Sequence, residues 1–246
     1  MSDLFNNENS LDDLEAPLAD RMRPQSLDEV IGQNHLLGEK GPLQNMLTSG
    51  IFSSIILWGP PGVGKTTIAR LLADHSNSHF EQISAIFTGV GDLKKVFEAA
   101  KFRRTNGHKS IIFVDEIHRF NKSQQDSFLP FLEDGTIILI GATTENPSFE
   151  LNPAILSRVQ VLVLERLNNT DLKKLLERAE GVLGSKINLD LDAKIELLKV
   201  ADGDGRALLN LIENIISWEI SNPITVKDLS VRLSKRLKKY DKKGEE

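Results

Sequence analysis

Five short apolar runs, most of them followed by a stretch of helical periodicity, constrain this chain more than any other feature. They are "SSIILWG" (53–59), a weaker "HFEQISA" (79–85), "SIIFVDE" (110–116), "TIILIGA" (136–142) and "VQVLVL" (159–164). Runs of this length, rich in β-branched residues, read as buried strands. Between them lie "KTTIARLLADH", "DLKKVFEAAKFRR" and "SQQDSFLPFLE", each with helical spacing of its apolar residues. Strand and helix in alternation mean a parallel sheet with helices on its faces. After Leu167 the strands stop, and "NNTDLKKLLERAEGVLG", "DLDAKIELLKVAD", "GRALLNLIENIISWEI" and "TVKDLSVRLSKRLKKY" read as amphipathic helices, the first opening on an Asn/Thr cap. The expected organisation is a leader over residues 1–16, an α/β core over 17–168, a helical lid over 169–240 and a tail over 241–246.

"GPPGVGKTT", Gly59 to Thr67, sits between the first strand and its helix and fits G-x-x-x-x-G-K-[ST]. Glycines there let backbone N–H groups curl around phosphate oxygens, and the following helix turns its positive end toward them. Gly59, Pro60, Pro61, Gly62, Val63, Gly64, Lys65, Thr66 and Thr67 are thus the expected nucleotide cradle. Lys65 is expected on the β- and γ-phosphates and Thr66 on Mg²⁺. "IIFVDEIH" completes the pair: a buried strand ends in Asp115, placed for the metal's hydration shell, and Glu116, placed to polarise an attacking water. ATP and ADP with Mg²⁺ are the expected ligands and hydrolysis the expected chemistry.

His118 makes the second motif "DEIH", as in one helicase class, but those enzymes need a second nucleotide-clasping α/β domain and the remaining sequence is helical. His75 and His79 stand four apart with no third zinc ligand in evidence. The chain has no cysteine, which removes disulfide and thiol chemistry. The acidic, polar first twenty residues lack a signal peptide's charge and apolar core, and no stretch approaches a membrane span. A cytoplasmic protein is expected. A net charge of -5 argues against wholesale coating of nucleic acid while leaving room for local basic surfaces such as "KFRR" (101–104), "HK" (108–109) and the stretch 232–243.

Several longer segments resemble the AAA+ ATPases of the clamp-loader branch, most closely the replication-associated recombination protein A family. They are "PLADRMRPQSLDEVIGQNHLLG" (17–38), the phosphate loop, "FVDEIHRFNKSQQDSFLPFLEDGTI" (113–137) and "GATTENPSFELNPAILSR" (141–158). The resemblance runs over about residues 17–246. It implies a P-loop NTPase with a five-stranded parallel sheet and a small all-helical lid. It implies an adenine pocket lined by Leu18, Arg21, Val30, Ile31 and Gly32, and a sensor threonine at Thr144 with Thr143 the competing choice. A second sensor, Arg206, is implied on the lid.

Arg158 stands at the mouth of the fifth run in "ILSRVQVLVL", a run expected to be buried on both faces. By itself such an arginine reads as a solvated cap. The resemblance instead makes it a finger that reaches a neighbouring subunit's nucleotide, so self-association is implied, with a tetramer for complete family members. Two departures stand out: Gly205 replaces the alanine usual before the second sensor, and the sequence stops where relatives continue into a helical tetramerisation domain. The implied function is a DNA-dependent ATPase of fork maintenance, recombination and repair, nucleoid-associated, acting at stalled forks, gaps or duplex ends. DNA junctions or ends are its implied partners, with single-stranded-DNA-binding protein or other replisome components beside them. The alternatives are a nucleotide-switched interaction module or a clamp-type protein remodeller with low turnover.

Overall fold

A computed structural model describes residues 16–218 and 222–241, with side chains in the last helix as far as Leu233. The leader (to residue 15), the tail beyond 241 and most side chains of the basic stretch 232–243 lie outside the described residues. The chain forms two compact units, one of residues 24–166 and one of residues up to 23 together with 167 onward. Residues 17–23, expected in the α/β core, pack with the helices: Leu18 and Met22 are buried in one cluster with Leu172, Leu176, Leu208 and Ile212.

In the α/β unit, strands β1 (Ile55–Trp58), β2 (His79–Ser84), β3 (Ser110–Asp115), β4 (Ile138–Thr143) and β5 (Gln160–Val163) form one sheet in the order β2-β3-β4-β1-β5. All pairs are parallel. Alternate side chains feed two cores, as the period of two requires. Ile55, Leu57, Ile111 and Phe113 pack with helices α1 (Pro42–Ser49) and α2 (Lys65–His75). Ile56, Ile112 and Val114 pack with helix α3 (Val90–Thr105) and with Phe120 and Phe128. The result is a helix–sheet–helix sandwich.

Two expectations need correction. "SQQDSFLPFLE" is two short helices, Lys122–Asp126 and Leu129–Glu133, because Asn121 caps the first with a reciprocal bond to Gln124 and Pro130 opens the second. The fifth run is not buried on both faces. Leu162 is buried, but Val161 and Val163 are 37% and 46% exposed, because β5 lies at the sheet's edge and only its Leu162 face meets a core.

The helical unit comprises a short helix Leu18–Arg21 and helices α4 (Asn169–Leu183), α5 (Leu191–Ala201), α6 (Gly205–Ile216) and α7 (Val226–Asp241). Side chains of Asn168, Asp190 and Asp204 accept the first free amides of α4, α5 and α6. The Leu18 N–H donates to Glu213 Oε1 at 2.9 Å, tying the incoming segment to α6. Among the described residues no helix is long and apolar enough to cross a membrane.

Candidate functional site

In a parallel sheet, ligands gather at the carboxyl ends of the strands, and this edge collects the two motif strands. β1 ends at Trp58 and runs into the loop Gly59–Gly64. Gly59 has no room for a Cβ, which would stand 2.5 Å from the Leu164 carbonyl oxygen. Its N–H donates to the Thr143 carbonyl at 3.1 Å, fixing the loop's root to β4. Gly62 and Gly64 take φ of 68° and 99°, a backbone region that favours glycine, so the loop can double back before α2 begins at Lys65. Pro60, Gly62, Thr66 and Thr67 are half-buried, Val63 is buried, and Pro61 is exposed. The Lys65 ammonium curls over the loop and donates to the Gly59 and Pro60 carbonyls, both at 2.7 Å.

Beside Gly59 and Pro60 opens a cleft of about 410 Å³, lined by Trp58, Thr144, Val163, Leu164, Glu165 and Arg166 as well. Its size and mixed lining suit a small organic ligand. The segment expected to line an adenine pocket is fastened to the same wall by Gln33. The Gln33 amide donates to the Glu165 carbonyl at 2.7 Å and accepts from the Glu165 N–H at 3.0 Å. His35 Nε2 bonds the Val163 carbonyl at 2.8 Å. Together they cover outward-facing backbone of the sheet's edge and hold half-buried Val30, Ile31 and Gly32 next to it.

β3 delivers half-buried Asp115, in register with Ser84 of β2. Glu116 then adopts φ 53°, ψ 47°, the left-handed conformation that side chains rarely take, and opens a 3-10 turn, Ile117–Arg119. Gly141 leaves room for this turn: a Cβ on it would meet Ile117 Cδ1 at 3.0 Å and Ile56 Cδ1 at 2.6 Å, so those side chains would have to shift. Behind Glu116, His118 Nδ1 lies 3.3 Å from Glu116 Oε2 and 3.0 Å from the Thr143 hydroxyl.

The two threonines ending β4 separate cleanly. Thr143 is fully buried, its hydroxyl accepting the Glu145 N–H at 3.0 Å and lying 3.2 Å from the Glu145 carbonyl. Thr144 lines the cleft. Of the pair left open by the sequence, Thr144 is the one that lines the cleft.

Arg158 is exposed at the start of β5, following a short helix, Pro153–Leu156. Its guanidinium bonds Glu133 Oε1 at 2.5 Å, the Ala154 carbonyl at 2.7 Å and the Ser157 hydroxyl at 2.9 Å. Its partner within the chain is thus an acidic residue at a helix end, on the unit's surface.

Three residues expected at the nucleotide belong to the helical unit. Leu18 is 1% exposed and committed to that unit's core, so its side chain offers a ligand no open face. Arg21 closes the short first helix, and Arg206 is exposed in the first turn of α6. Of the basic segments, "KFRR" is largely engaged within the α/β unit. Arg103 pairs with Glu81 at 3.1 Å, and Arg104 bonds the Thr136 hydroxyl at 2.9 Å and Asp134 at 3.3 Å. The Asp134 carboxyl is held below the usual range, first by the Thr136 side-chain hydrogen bond and, against some burial, by the Thr136 N–H, Arg104 and Lys101.

Gln33, His118, Glu165 and Arg166 were not singled out as site residues from the sequence. Their roles come from strand order and from side chains reaching across it, which carry no local signature. The donor set for a metal fits the expectation in kind: the Thr66 hydroxyl and the Asp115 carboxylate are hard oxygen donors of the sort Mg²⁺ takes. Among the described residues no group of three or more His, Asp or Glu could hold a metal ion.

Comparison with known proteins adds to this geometry. Residues 55–167 match the model of the ATPase family associated with various cellular activities. Replication-associated recombination protein A of Coxiella burnetii is 48% identical over 238 residues, covering 93% of this chain and 54% of that protein. ATPase WRNIP1 of Dictyostelium discoideum is 45% identical over 205 residues, covering 82% of this chain and 23% of that protein. Among solved structures, the Thermotoga maritima RuvB Holliday junction branch migration motor superposes with a TM-score of 0.65 at 28% identity, covering 78% of this chain and 64% of that one. The chain spans about half the length of the recombination-protein relatives it matches.

Proposed function

Because the chain belongs to the AAA ATPases, and among them to the replication-associated recombination protein A family, we propose that it binds and hydrolyses ATP in a DNA-directed role at replication forks or recombination intermediates. The observation that carries the chemistry is one sheet edge. There a glycine loop with a lysine inside it, a carboxylate pair ending β3 and a cleft-lining threonine ending β4 stand together on adjacent strands.

The loop's N–H groups and the positive end of α2 receive the phosphates. Lys65 exchanges its two carbonyl partners for β- and γ-phosphate oxygens, a charge-assisted exchange that costs little because its ammonium already stands at the loop. Val30, Ile31 and Gly32, pinned by Gln33, form an apolar flank for the base. Thr66 and Asp115 would hold Mg²⁺, which would screen charge on the phosphates. Glu116 orients and deprotonates the attacking water, and Thr144 fixes the water or the γ-phosphate. Arg206 reads the γ-phosphate from the helical unit. Arg158 leaves Glu133 to neutralise transition-state charge in the site of a neighbouring copy, so the working enzyme is an oligomer.

The DNA role follows the relatives, one named for replication and recombination and the other for Holliday junction branch migration. The exposed His108 and Lys109 are the phosphate contacts this reading uses. The test is steady-state turnover with and without forked, gapped and blunt-ended DNA, for the wild type, Lys65→Ala and Glu116→Gln. Expected are stimulation by one or more DNA structures and a loss of roughly 10²-fold or more in both variants. Nucleotide binding without turnover at any protein or DNA concentration would instead establish a nucleotide-switched interaction module. Turnover stimulated by a sliding clamp and indifferent to DNA would make the substrate a protein.

A further inference from the structure

His118 plays no part in the chemistry above, yet it is the polar side chain between the expected base and the sheet. It is 7% exposed in a 3-10 turn that Gly141 allows to pack beneath β4. A single ring nitrogen, Nδ1, faces both Glu116 Oε2 at 3.3 Å and the Thr143 hydroxyl at 3.0 Å. The protonation of that nitrogen follows from its neighbours. The Thr143 hydroxyl takes the Glu145 N–H and has the Glu145 carbonyl in reach for its own proton. A bare Nδ1 would point its lone pair at a carboxylate, whereas Nδ1–H donates to the hydroxyl's remaining lone pair and turns its positive edge toward Glu116 Oε2, an electrostatic contact at 3.3 Å.

We infer that His118 is a positioning residue for hydrolysis: its Nδ1–H holds the Glu116 carboxylate in place and ties it, through Thr143, to the end of β4. The inference rests on reading Glu116 as the base. Glu116 enters its turn with left-handed φ, so its own backbone is strained, and the contact with His118 gives its side chain a point of support. His118 supplies that support from the strand whose next residue, Thr144, lines the cleft.

Two measurements test this. The first needs no turnover: nitrogen NMR of the imidazole in the wild-type chain and in Glu116→Gln. Nδ1 should carry the proton in the wild type, and its signal should move in Glu116→Gln. An unprotonated Nδ1, or a signal indifferent to Glu116, overturns the proposal. The second is kinetic. His118→Ala should lower kcat by roughly 10- to 100-fold, as loss of an orienting hydrogen bond does elsewhere, with ATP affinity within about twofold of the wild type. His118→Asn, whose amide takes the place of Nδ1, should recover much of the loss, and His118→Gln, whose amide takes the place of Nε2, should not. Thr143→Val should lower kcat too, and adding it to His118→Ala should cost little more, since the two act as one link. Wild-type kcat in His118→Ala, or equal rescue by Asn and Gln, also overturns it. Glu116→Gln separates the two readings: if it keeps full turnover, the assignment of the base fails; if it is inactive while His118→Ala is not, only the link fails.

Discussion

The α/β unit and the helical unit hold their functional side chains in opposite ways. In the first, polar side chains bond backbone far away in sequence: Gln33 pairs with Glu165, and His35 with Val163. The strands bring these partners together, so the bonds that hold the fold also shape the site. In the second, polar bonds are largely local. Asn168, Asp190 and Asp204 each cap the helix they precede, and the core is a set of apolar helix stripes. That unit presents Arg206, exposed in the first turn of a well-capped helix. The contrast teaches that substitutions in the sheet edge should disturb chemistry and stability together, while those in the helical unit should separate them.

The most severe challenge to this contrast is Arg158, which sits in the α/β unit but bonds only to near surface groups. Arg158→Ala is expected to lower turnover by about 10³-fold or more while leaving the melting temperature nearly unchanged, since an exposed ion pair with Glu133 adds little stability. Mixing it with Lys65→Ala should restore measurable activity, because each copy supplies what the other lacks. No rescue, with mixed oligomers confirmed, would mean that Arg158 acts within its own chain. Next in size is Arg206→Ala, expected to lower kcat or nucleotide affinity by roughly 10- to 100-fold, the range for a lost bond to a charged group, again with unchanged stability.

How much of this was readable beforehand divides along the same line. The five strands, the loop from Gly59 to Thr67 and the pair Asp115–Glu116 are local patterns, and local patterns survive in a sequence. Burial of β5 was misjudged because "VQVLVL" reads the same in a central strand and at an edge; only strand order tells them apart. Residues 17–23 read as part of the α/β core, and the resemblance puts Leu18 at the adenine, whereas Leu18 and Met22 complete a helical core. Gln33 carries no local signal because its partner lies 132 residues away, and His118 because its link to Thr143, 25 residues on, depends on strand order.

Gln33 therefore sharpens the contrast most directly. Gln33→Ala strips both bonds from the part-buried Glu165 backbone beside the cleft, and losing them should cost about 1 kcal/mol each, since water can reach the freed groups. It should also weaken discrimination of adenine from guanine nucleotides, since Val30, Ile31 and Gly32 lose their anchor. A loss of stability with base preference intact would show the latch to be structural alone.

The smallest expected effect bears on the helical unit's one exception. Asn168 and Asp204 are matched caps, each accepting amides at the start of its helix, and replacing either by alanine should cost about 1 kcal/mol in denaturant unfolding. Only Asp204 caps the helix whose first turn carries Arg206, and its carboxylate accepts the N–H of Ala207, the next residue. That first turn also contains Gly205, which by itself favours fraying, so the cap does more to define the turn here than at α4. Asp204→Ala should then lower kcat by a few-fold in addition to its stability cost, and Asn168→Ala should leave kcat unchanged at equal destabilisation. If both caps change stability and neither changes turnover, Arg206 is held well enough by the rest of α6, and the separation between structural and chemical residues in the helical unit is complete.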